Sequence, residues 1–364
     1  MRLKTSGIRG LGLGRSLDKN GIHTILIRAV NWLGDAVMTT PAIGAVRTSF
    51  PHARITILAN PLVAELFTPH AWVDEVIVYD RKGRHAGLSG RLALAAELRK
   101  RNFDLAVLLQ NAFDAALITR LAGIPRRMGY RTDGRGLLLT HGITVSPEKK
   151  RLHHVDYYLS MLAEWGIAPS GKGLQLTVTP EEQTALAAVL ARNGIGGGDF
   201  LLGINPGATY GSAKRWYPER FAKVADDLAR LWGAQVVITG GPGEAGIAGE
   251  IESVMAGRCL NMAGRTSVRE LTALIKRCNF FVTNDSGPMH IAAAFNVPLV
   301  AIFGSTDNTT TSPYSERSVV VRSDAACAPC LERECPTDHR CMTAVTADQV
   351  VQAAQLLKKR KTER

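Results

Sequence analysis

No apolar run in this chain approaches the roughly 20 residues that a membrane-crossing helix needs, so the sequence does not read as spanning a bilayer. The opening MRLKTSGIRGLGLGRSLDKNG is basic and glycine-rich and lacks the continuous apolar stretch of a secretory leader, so residues 1–22 read as a flexible basic extension. Aromatic residues are scarce at 6%, and no RNA- or DNA-binding signature accompanies the positive charge, which makes nucleic acid the weaker partner. Cysteine is also sparse outside one segment. Four of the six crowd into Cys327, Cys330, Cys335 and Cys341, unlike the spread of a disulfide-stapled secreted domain, and a reducing cytoplasm fits. What the chain has in excess is positive charge. A formal net charge of +12 points to anionic partners: phosphorylated substrates or an acidic membrane surface. With 364 residues, 46% of them hydrophobic, there is material for two domains with two cores.

The stretch NFFVTNDSGPMHIAAAFNVPLVAIF, residues 279–303, reads as a tight βαβ unit, with strands at 280–283 and 297–303 and a short helix from Pro288. Its turn, Asn284-Asp285-Ser286-Gly287, presents backbone N–H groups at a helix start, and glycine lets an anion approach closely. A phosphate seat and a plain N-capped helix are equally compatible with that turn alone. Earlier in the chain, strands are expected at 23–30, 54–59, 76–79 and 104–110, and a helix at 36–50 broken near Thr39-Thr40-Pro41. Alternation of apolar strands with helical sequence means an α/β protein with parallel sheets. Asn31-Trp32-Leu33-Gly34-Asp35 then lies at the carboxyl end of the first strand, where open α/β sheets bind ligands. Arg126, Arg127, Arg131 and Arg135 read as a loop, and with Lys149, Lys150 and Arg151 they flank His153, His154 and Tyr157, as either a solvated surface or an anion-facing cleft wall.

A composition shift at residues 168–173 marks a linker, giving a first domain at 23–178 and a second at 179–345. In the second, helices are expected at 180–193 and 218–231, strands at 200–205 and 234–239, and a further segment at 260–263. Ser267 and Glu270 form a capping box for the helix ending at Arg277. The final helix, 346–359 within the 346–364 tail, has no strand after it and is expected to pack back on the first domain. Strand 200–205 runs into a glycine-rich loop ending in Lys214, without the G-x4-G-K-[ST] spacing of nucleotide hydrolases. Glu244, after Gly240-Gly241-Pro242-Gly243, ends the next strand, where a carboxylate can accept from ribose hydroxyls. Gly10-Leu11-Gly12-Leu13-Gly14 precedes its strand and is not the dinucleotide fingerprint, which argues against a nicotinamide oxidoreductase.

Four separated motifs, NWLGDAVMTTPAI, NPGATYGSAKRWYPERFA, NMAGRTSVREL and TNDSGPMHIAAAFNVPLVAIFG, occur in an order that resembles glycosyltransferase family 9, the ADP-heptose:lipopolysaccharide heptosyltransferases, across nearly the whole chain from Thr24. The resemblance implies a GT-B fold, two Rossmann-like domains with parallel sheets facing across a cleft. It places the nucleotide sugar, ADP-heptose, on the second domain and the anionic inner core of lipopolysaccharide on the first, with peripheral contact at the cytoplasmic face of the inner membrane. By motif, Asp35 matches the catalytic base and Lys214 the diphosphate-binding lysine. Thr209, Glu244, Thr266, Asp285, Ser286, Gly287 and His290 fall on the donor side, with Glu244 in a more variable turn. Asn31, Trp32, Asn111, Arg131, His153 and His154 are the acceptor-side candidates. The basic extension and the cysteine segment depart from the pattern and are not expected to touch the chemistry.

The residues support the same chemistry on physical grounds. A nucleoside diphosphate is a good leaving group once its developing charge is met, which Lys214 and the Ser286-Gly287 helix start can do. The acceptor hydroxyl needs a positioned base, and Asp35 is the candidate; an ordinary helix-start aspartate is the alternative. One base facing the leaving group gives a single in-line displacement with inversion. No metal is required by this chemistry. Cys327, Cys330, Cys335 and Cys341 offer a structural Zn²⁺ site, but the second pair lacks C-x2-C spacing, so packed or redox-active thiols are preferred. Two other functions share these features. A nucleotide-sugar epimerase would not need a broad basic acceptor wall, and a non-catalytic nucleotide-sugar sensor would not need Asp35.

Overall fold

Two runs of alternating strand and helix build two parallel six-stranded sheets. The computed structural model describes residues 17–169, 171 and 173–360. The first sheet contains β1 (Thr24–Arg28), β2 (Arg54–Ala59), β3 (Glu75–Val78), β4 (Leu105–Leu108), β5 (Arg126–Tyr130) and β6 (His141–Ile143), in the order β3-β2-β1-β4-β5-β6. The second contains β7 (Leu201–Asn205), β8 (Gln235–Ile238), β9 (Cys259–Asn261), β10 (Phe280–Asn284), β11 (Leu299–Phe303) and β12 (Ser318–Arg322), in the order β12-β11-β10-β7-β8-β9. Counted from its own first strand, each sheet has the doubly wound 3-2-1-4-5-6 arrangement, so the α/β fold of two Rossmann-like units is as expected. In such a sheet the order of strand addition reverses between β1 and β4, and between β7 and β10, opening a crevice at the strands' carboxyl ends.

Strands β1, β4, β7 and β10 are buried along almost their full length, which suits their continuous apolar sequence. Thr39 and Thr40 break the first long helix into Leu33–Met38 and Thr40–Ser49, each donating its hydroxyl to a carbonyl three residues back. The Ser267–Glu270 capping box forms as read. Two cores were expected, but one apolar cluster runs unbroken from Ile25 and Ile27 of β1 to Leu201 of β7 and Phe281 of β10. A second lies on the outer face of the β7–β12 sheet. Across the two halves, Glu65 accepts the Val268 N–H at 2.9 Å, His153 Nε2 donates to Ser312 O at 2.9 Å, and Arg269 donates to Thr177 O at 2.8 Å.

Several expectations need correction. Residues 126–130 form strand β5 rather than a loop; β6 and β12 had not been read at all. Leu17 and Ile22 are buried in the first core, so the extension cannot reach residue 22; its residues 1–16 lie outside the described residues, as do Ser170 and Lys172 of the linker and residues 361–364 of the tail. The last helix, Ala347–Lys359, packs on helix Pro218–Trp232 and on β11 and β12 of the second sheet, not back on the first half. Its buried Val350, Ala354 and Leu357 complete the outer core of that sheet. Among the described residues no helix is long and apolar enough to cross a membrane.

Gly203 sits opposite Phe281 where β7 pairs with β10, and a Cβ there would lie 2.4 Å from the Phe281 ring and 2.9 Å from Cys278 Sγ. Gly203→Ala is therefore expected to destabilise the chain by roughly 1–3 kcal/mol, the usual range for overpacking. Chemical unfolding monitored by circular dichroism measures this, and an unchanged midpoint would contradict the packing described.

Candidate active site

In the second half, two asparagines stitch the crevice together. Asn284 at the end of β10 donates to Pro206 O at 2.7 Å and accepts from the Trp216 N–H at 3.2 Å. Asn205 at the end of β7 donates to Ser286 Oγ at 3.0 Å and to Thr283 Oγ1 at 3.2 Å. The Ser286 hydroxyl is thereby held inside the turn, and the helix Gly287–Ala294 starts without a side-chain cap. Its amide end and dipole therefore face the crevice as an anion seat. Lys214 Nζ lies 2.6 Å from Asp285 Oδ2, which also accepts the Thr306 hydroxyl at 2.6 Å. Asp285, expected to face the ligand, is instead buried beneath this pair. A carboxylate so deep in the protein is sustained only by a paired cation and a hydrogen bond.

Glu244 folds back over the loop after β7. Its carboxylate accepts the Gly241 N–H at 2.7 Å and rests directly on Gly207, where a Cβ would lie 2.0 Å from its Cδ and push the carboxylate aside. The turn carrying Thr266 is pinned beside it. Gly264, at φ +73°, donates to Gly240 O at 2.9 Å, a left-handed conformation that glycine takes without strain. Thr266, Glu244, Lys214 and Ser286 thus follow four adjacent strands, β9, β8, β7 and β10, in spatial order. Thr209 is exposed on the same loop as Lys214.

In the first half, Asp35 lies in the opening turn of helix Leu33–Met38. Its Oδ1 is 3.3 Å from His154 Nδ1, so the carboxylate is bonded to a ring of another helix rather than capping its own. It meets His154 by contact, and its charge acts on His290 and Tyr158. Asn31 is fixed by Arg28 and Asn60 and Trp32 is half exposed beside it. Asn111 donates to the Tyr157 hydroxyl at 2.9 Å and accepts from Arg135 at 2.8 Å. Arg131 is exposed, with its side chain laid along Gly142. The expected wall of arginines is only partly a wall. Arg135 is fully buried, donating to Tyr130 O, Gln110 O and Asn111; Arg127 is buried on Ile124 O and Leu138 O. Burial lowers the Arg135 pKa to about 10. These two guanidiniums satisfy strand-end carbonyls and are not open to an anion. His153 is likewise occupied, accepting the Val155 N–H at Nδ1 and donating from Nε2 to Ser312.

The two halves meet at glycines. A Cβ on Gly34 would lie 2.8 Å from His290 Cδ2 and 3.3 Å from Gly287 Cα; one on Gly287 would lie 3.2 Å from Leu33 Cβ. The first turns of two helices, one from each sheet, are therefore in backbone contact over His290. That histidine is buried, its Nδ1 has no partner, and burial pushes its pKa down to about 3 against the pull of Asp35, with His153, Lys214 and His154 adding to the depression. It packs as a neutral ring. The arrangement sets a partly buried cation and a helix start on one wall and a hydrogen-bonded carboxylate on the other, which suits displacement of an anionic leaving group by a deprotonated nucleophile.

Sequence reasoning missed Arg28, Asn205, Asn284 and Thr306. The signal for Arg28 was a lone charge inside the apolar run ILIRAV: it is buried on β1, donates to Ala29 O and Leu58 O, and lies over the Tyr79 ring. The cysteine segment also bears on the site, contrary to expectation. Ala213 N–H donates to Arg333 O at 3.0 Å, Tyr210 donates to Leu331 O at 2.9 Å, and a Cβ on Gly211 would collide with Arg333 O, so this segment lies on the Lys214 loop. Cys327 and Cys330 are exposed, Cys335 is partly buried and Cys341 is buried. Among the described residues no group of three or more His, Cys, Asp or Glu side chains is arranged to hold a metal ion.

Comparison with known proteins agrees with this geometry. The profile of glycosyltransferase family 9 (heptosyltransferase) matches residues 91–340. The chain is 32% identical over 341 residues to lipooligosaccharide heptosyltransferase 2 of Campylobacter jejuni subsp. jejuni serotype O:2, covering 92% of this chain and 98% of the relative. It is 31% identical to lipopolysaccharide heptosyltransferase 2 of Escherichia coli K12, covering 82% and 87%. The solved structure of E. coli ADP-heptose lps heptosyltransferase II superposes with a TM-score of 0.80 at 27% identity, covering 93% of this chain and 99% of that one. With two doubly wound sheets meeting at a shared crevice, this chain belongs to glycosyltransferase family 9, the heptosyltransferases, and is a glycosyltransferase of GT-B fold.

Proposed function

We propose that this enzyme transfers heptose from ADP-L-glycero-β-D-manno-heptose to the inner core of lipopolysaccharide, with inversion at the anomeric carbon. The observation that carries the reading is the order of Thr266, Glu244, Lys214 and Ser286 along the ends of four adjacent strands, with Asp35 on the opposite half. At about 4.8 Å per strand, that edge spans about 14 Å, enough to lay out an extended nucleoside diphosphate sugar. Adenine would lie by Thr266, ribose by Glu244 and diphosphate between Lys214 and the Ser286-Gly287 helix start. Thr209 and His290 would line the same pocket, His290 as a neutral packing group. Relatives named as lipopolysaccharide and lipooligosaccharide heptosyltransferases, and one solved relative titled as an ADP-heptose enzyme, support the choice of donor and acceptor. Residues 179–345 would then hold the donor and residues 23–178 the acceptor, working at the cytoplasmic face of the inner membrane as a peripheral protein.

In the reaction, Asp35 takes the proton of the acceptor hydroxyl while that oxygen forms the bond to the anomeric carbon. The bond from that carbon to the diphosphate oxygen breaks on the far side, and ADP leaves with the electron pair. An ammonium has three donors, so Lys214 can keep one on Asp285 and turn the others to the departing diphosphate. His154 orients Asp35 through the 3.3 Å contact. Asn31, Trp32, Asn111 and Arg131 border the acceptor side, and no metal takes part in these steps.

The reading is tested by incubating the protein with ADP-heptose and with other nucleotide sugars, each with and without heptose-deficient lipopolysaccharide. ADP release that requires both ADP-heptose and acceptor is expected; release without acceptor, or none with either, would contradict it. Asp35→Asn is expected to lower kcat by ~10²–10⁴-fold with near-normal ADP affinity, because the amide keeps the shape but takes no proton. An unchanged rate with a lowered Tm would make Asp35 merely structural. Lys214→Ala should instead weaken both donor binding and turnover, kcat/KM falling by roughly 10²-fold or more, since its charge meets the diphosphate before and during departure. Equal donor affinity in variant and parent would remove Lys214 from the site.

A further inference from the structure

The outer surface of the first half carries apolar side chains that the transfer chemistry does not use. Leu137 is 99% exposed and Leu88 67%, with Leu92 and Phe113 close to half exposed. On helix Gly87–Arg99, Leu88, Leu92 and Ala96 recur every four residues on the solvent side, while Leu94, Ala95 and Leu98 hold the side against the sheet. That helix is apolar on both faces. Arg91 joins it to the neighbouring helix Phe113–Leu121 through Asp114 at 3.3 Å. The Phe113 N–H donates to Asp133 at 3.0 Å, which ties this helix start to the turn leading into Arg135–Leu138 and Leu137. The four side chains therefore lie on three elements fastened to one another.

Charge around them is one-sided. Residues 81–137 contain twelve Lys and Arg, of which Arg127 and Arg135 are buried, against four Asp and Glu. The four acids are all engaged within the protein: Glu97 with Arg84, Asp104 with the Thr24 backbone, Asp114 with Arg91 and Tyr79, and Asp133 with Phe113. Arg81, Lys82 and Arg120 are exposed at the rim. Apolar side chains set among uncompensated basic ones form the pattern that binds an interface of acyl chains and anionic headgroups. Its position adds a reason. Phe113 follows two residues after Asn111, and the Leu137 turn follows Arg131, so the surface borders the acceptor side of the crevice.

We propose that this face docks on an anionic phospholipid bilayer, with Leu88, Leu92, Phe113 and Leu137 entering the headgroup layer and Arg81, Lys82 and Arg120 meeting phosphates. The proposal rests on the reading of the acceptor as membrane-anchored for its purpose, and deepens it by naming the surface. Docking there would hold the acceptor side of the crevice at the bilayer while the donor half stays open to the cytoplasm.

The test is cosedimentation of the full chain with vesicles of phosphatidylethanolamine and phosphatidylglycerol, and with vesicles of phosphatidylcholine alone. Binding is expected only to the anionic vesicles and should weaken as salt is raised. A variant carrying Leu88→Ser, Leu92→Ser and Leu137→Ser should lose binding by roughly tenfold or more, because the acyl-facing contacts are removed while the charge remains. Its Tm and its ADP release with a lipid-free core oligosaccharide should match the parent. Equal binding to neutral vesicles, no binding to anionic ones, or a variant that binds as the parent does would overturn the proposal. So would a concentration-dependent dimer, seen by sedimentation, that the variant abolishes, since the surface would then belong to a second copy. A parent chain that releases ADP but binds no anionic vesicles would refute the docking surface alone; a parent chain that binds them but releases no ADP would refute the transfer reading alone.

Discussion

Two helices that begin at the ends of β1 and β10 approach so closely that a side chain on Gly34 would collide with His290 and one on Gly287 would press on Leu33, with His290 filling the space beneath. That approach fixes how one half of the protein faces the other, and the rest of the site depends on it. Asp35 follows Gly34 and Ser286 precedes Gly287, so the contact sets a carboxylate and an anion seat in register without any long side chain between them. Polar contacts hold the same register from other directions: Glu65 on Val268, His153 on Ser312, and Arg269 on Thr177. Because the apolar cluster is continuous across both sheets, opening the crevice means separating packed surfaces rather than swinging two independent bodies.

The sheets share a strand order but divide the labour through what stands at their crevices. In the second half, short polar side chains make the network: Asn205, Thr283 and Ser286 bond one another, Asn284 holds the loop at Pro206 and Trp216, Thr306 holds Asp285, and a helix start and Lys214 are left for an anion. Such residues position backbone at little cost in rotamer freedom. In the first half, buried arginines do the corresponding work. Arg28 and Arg135 each tie carbonyls from neighbouring strands and orient an asparagine, Asn31 or Asn111, at the crevice. Burial lowers the pKa of both to about 10, which still leaves them cationic near neutral pH, so they contribute a fixed positive field to the acceptor side.

How much of this was legible in the sequence depended on what each segment buries. Strand β2 was read with its observed bounds because Ile55, Ile57 and Leu58 form an unambiguous apolar run. The turn after β10 and the Ser267 cap were readable from local chemistry alone. Strand β5 was not, because RRMGY looks like a charged loop; Arg127 buries by bonding to Leu138 O and Ile124 O on either side of the strand, which the charge pattern does not reveal. The last helix has an apolar face, but nothing in its pattern says which sheet that face covers. The cysteine segment was set apart from the chemistry by its composition, yet it lies on the Lys214 loop through backbone bonds from Ala213 and Tyr210, which carry no side-chain signature.

The glycine contact between the halves is most directly tested by Gly34→Ala. A methyl group there must displace His290 or the Gly287 backbone, moving the Asp35 turn relative to the donor wall while leaving Lys214, Glu244 and Thr266 untouched. ADP affinity by calorimetry should stay within about twofold of the parent, whereas kcat should fall by roughly tenfold to 10²-fold, the scale expected when a catalytic group is misplaced by a fraction of an ångström to one ångström. A variant with parental kcat would show that the register of the two helix starts does not govern the reaction.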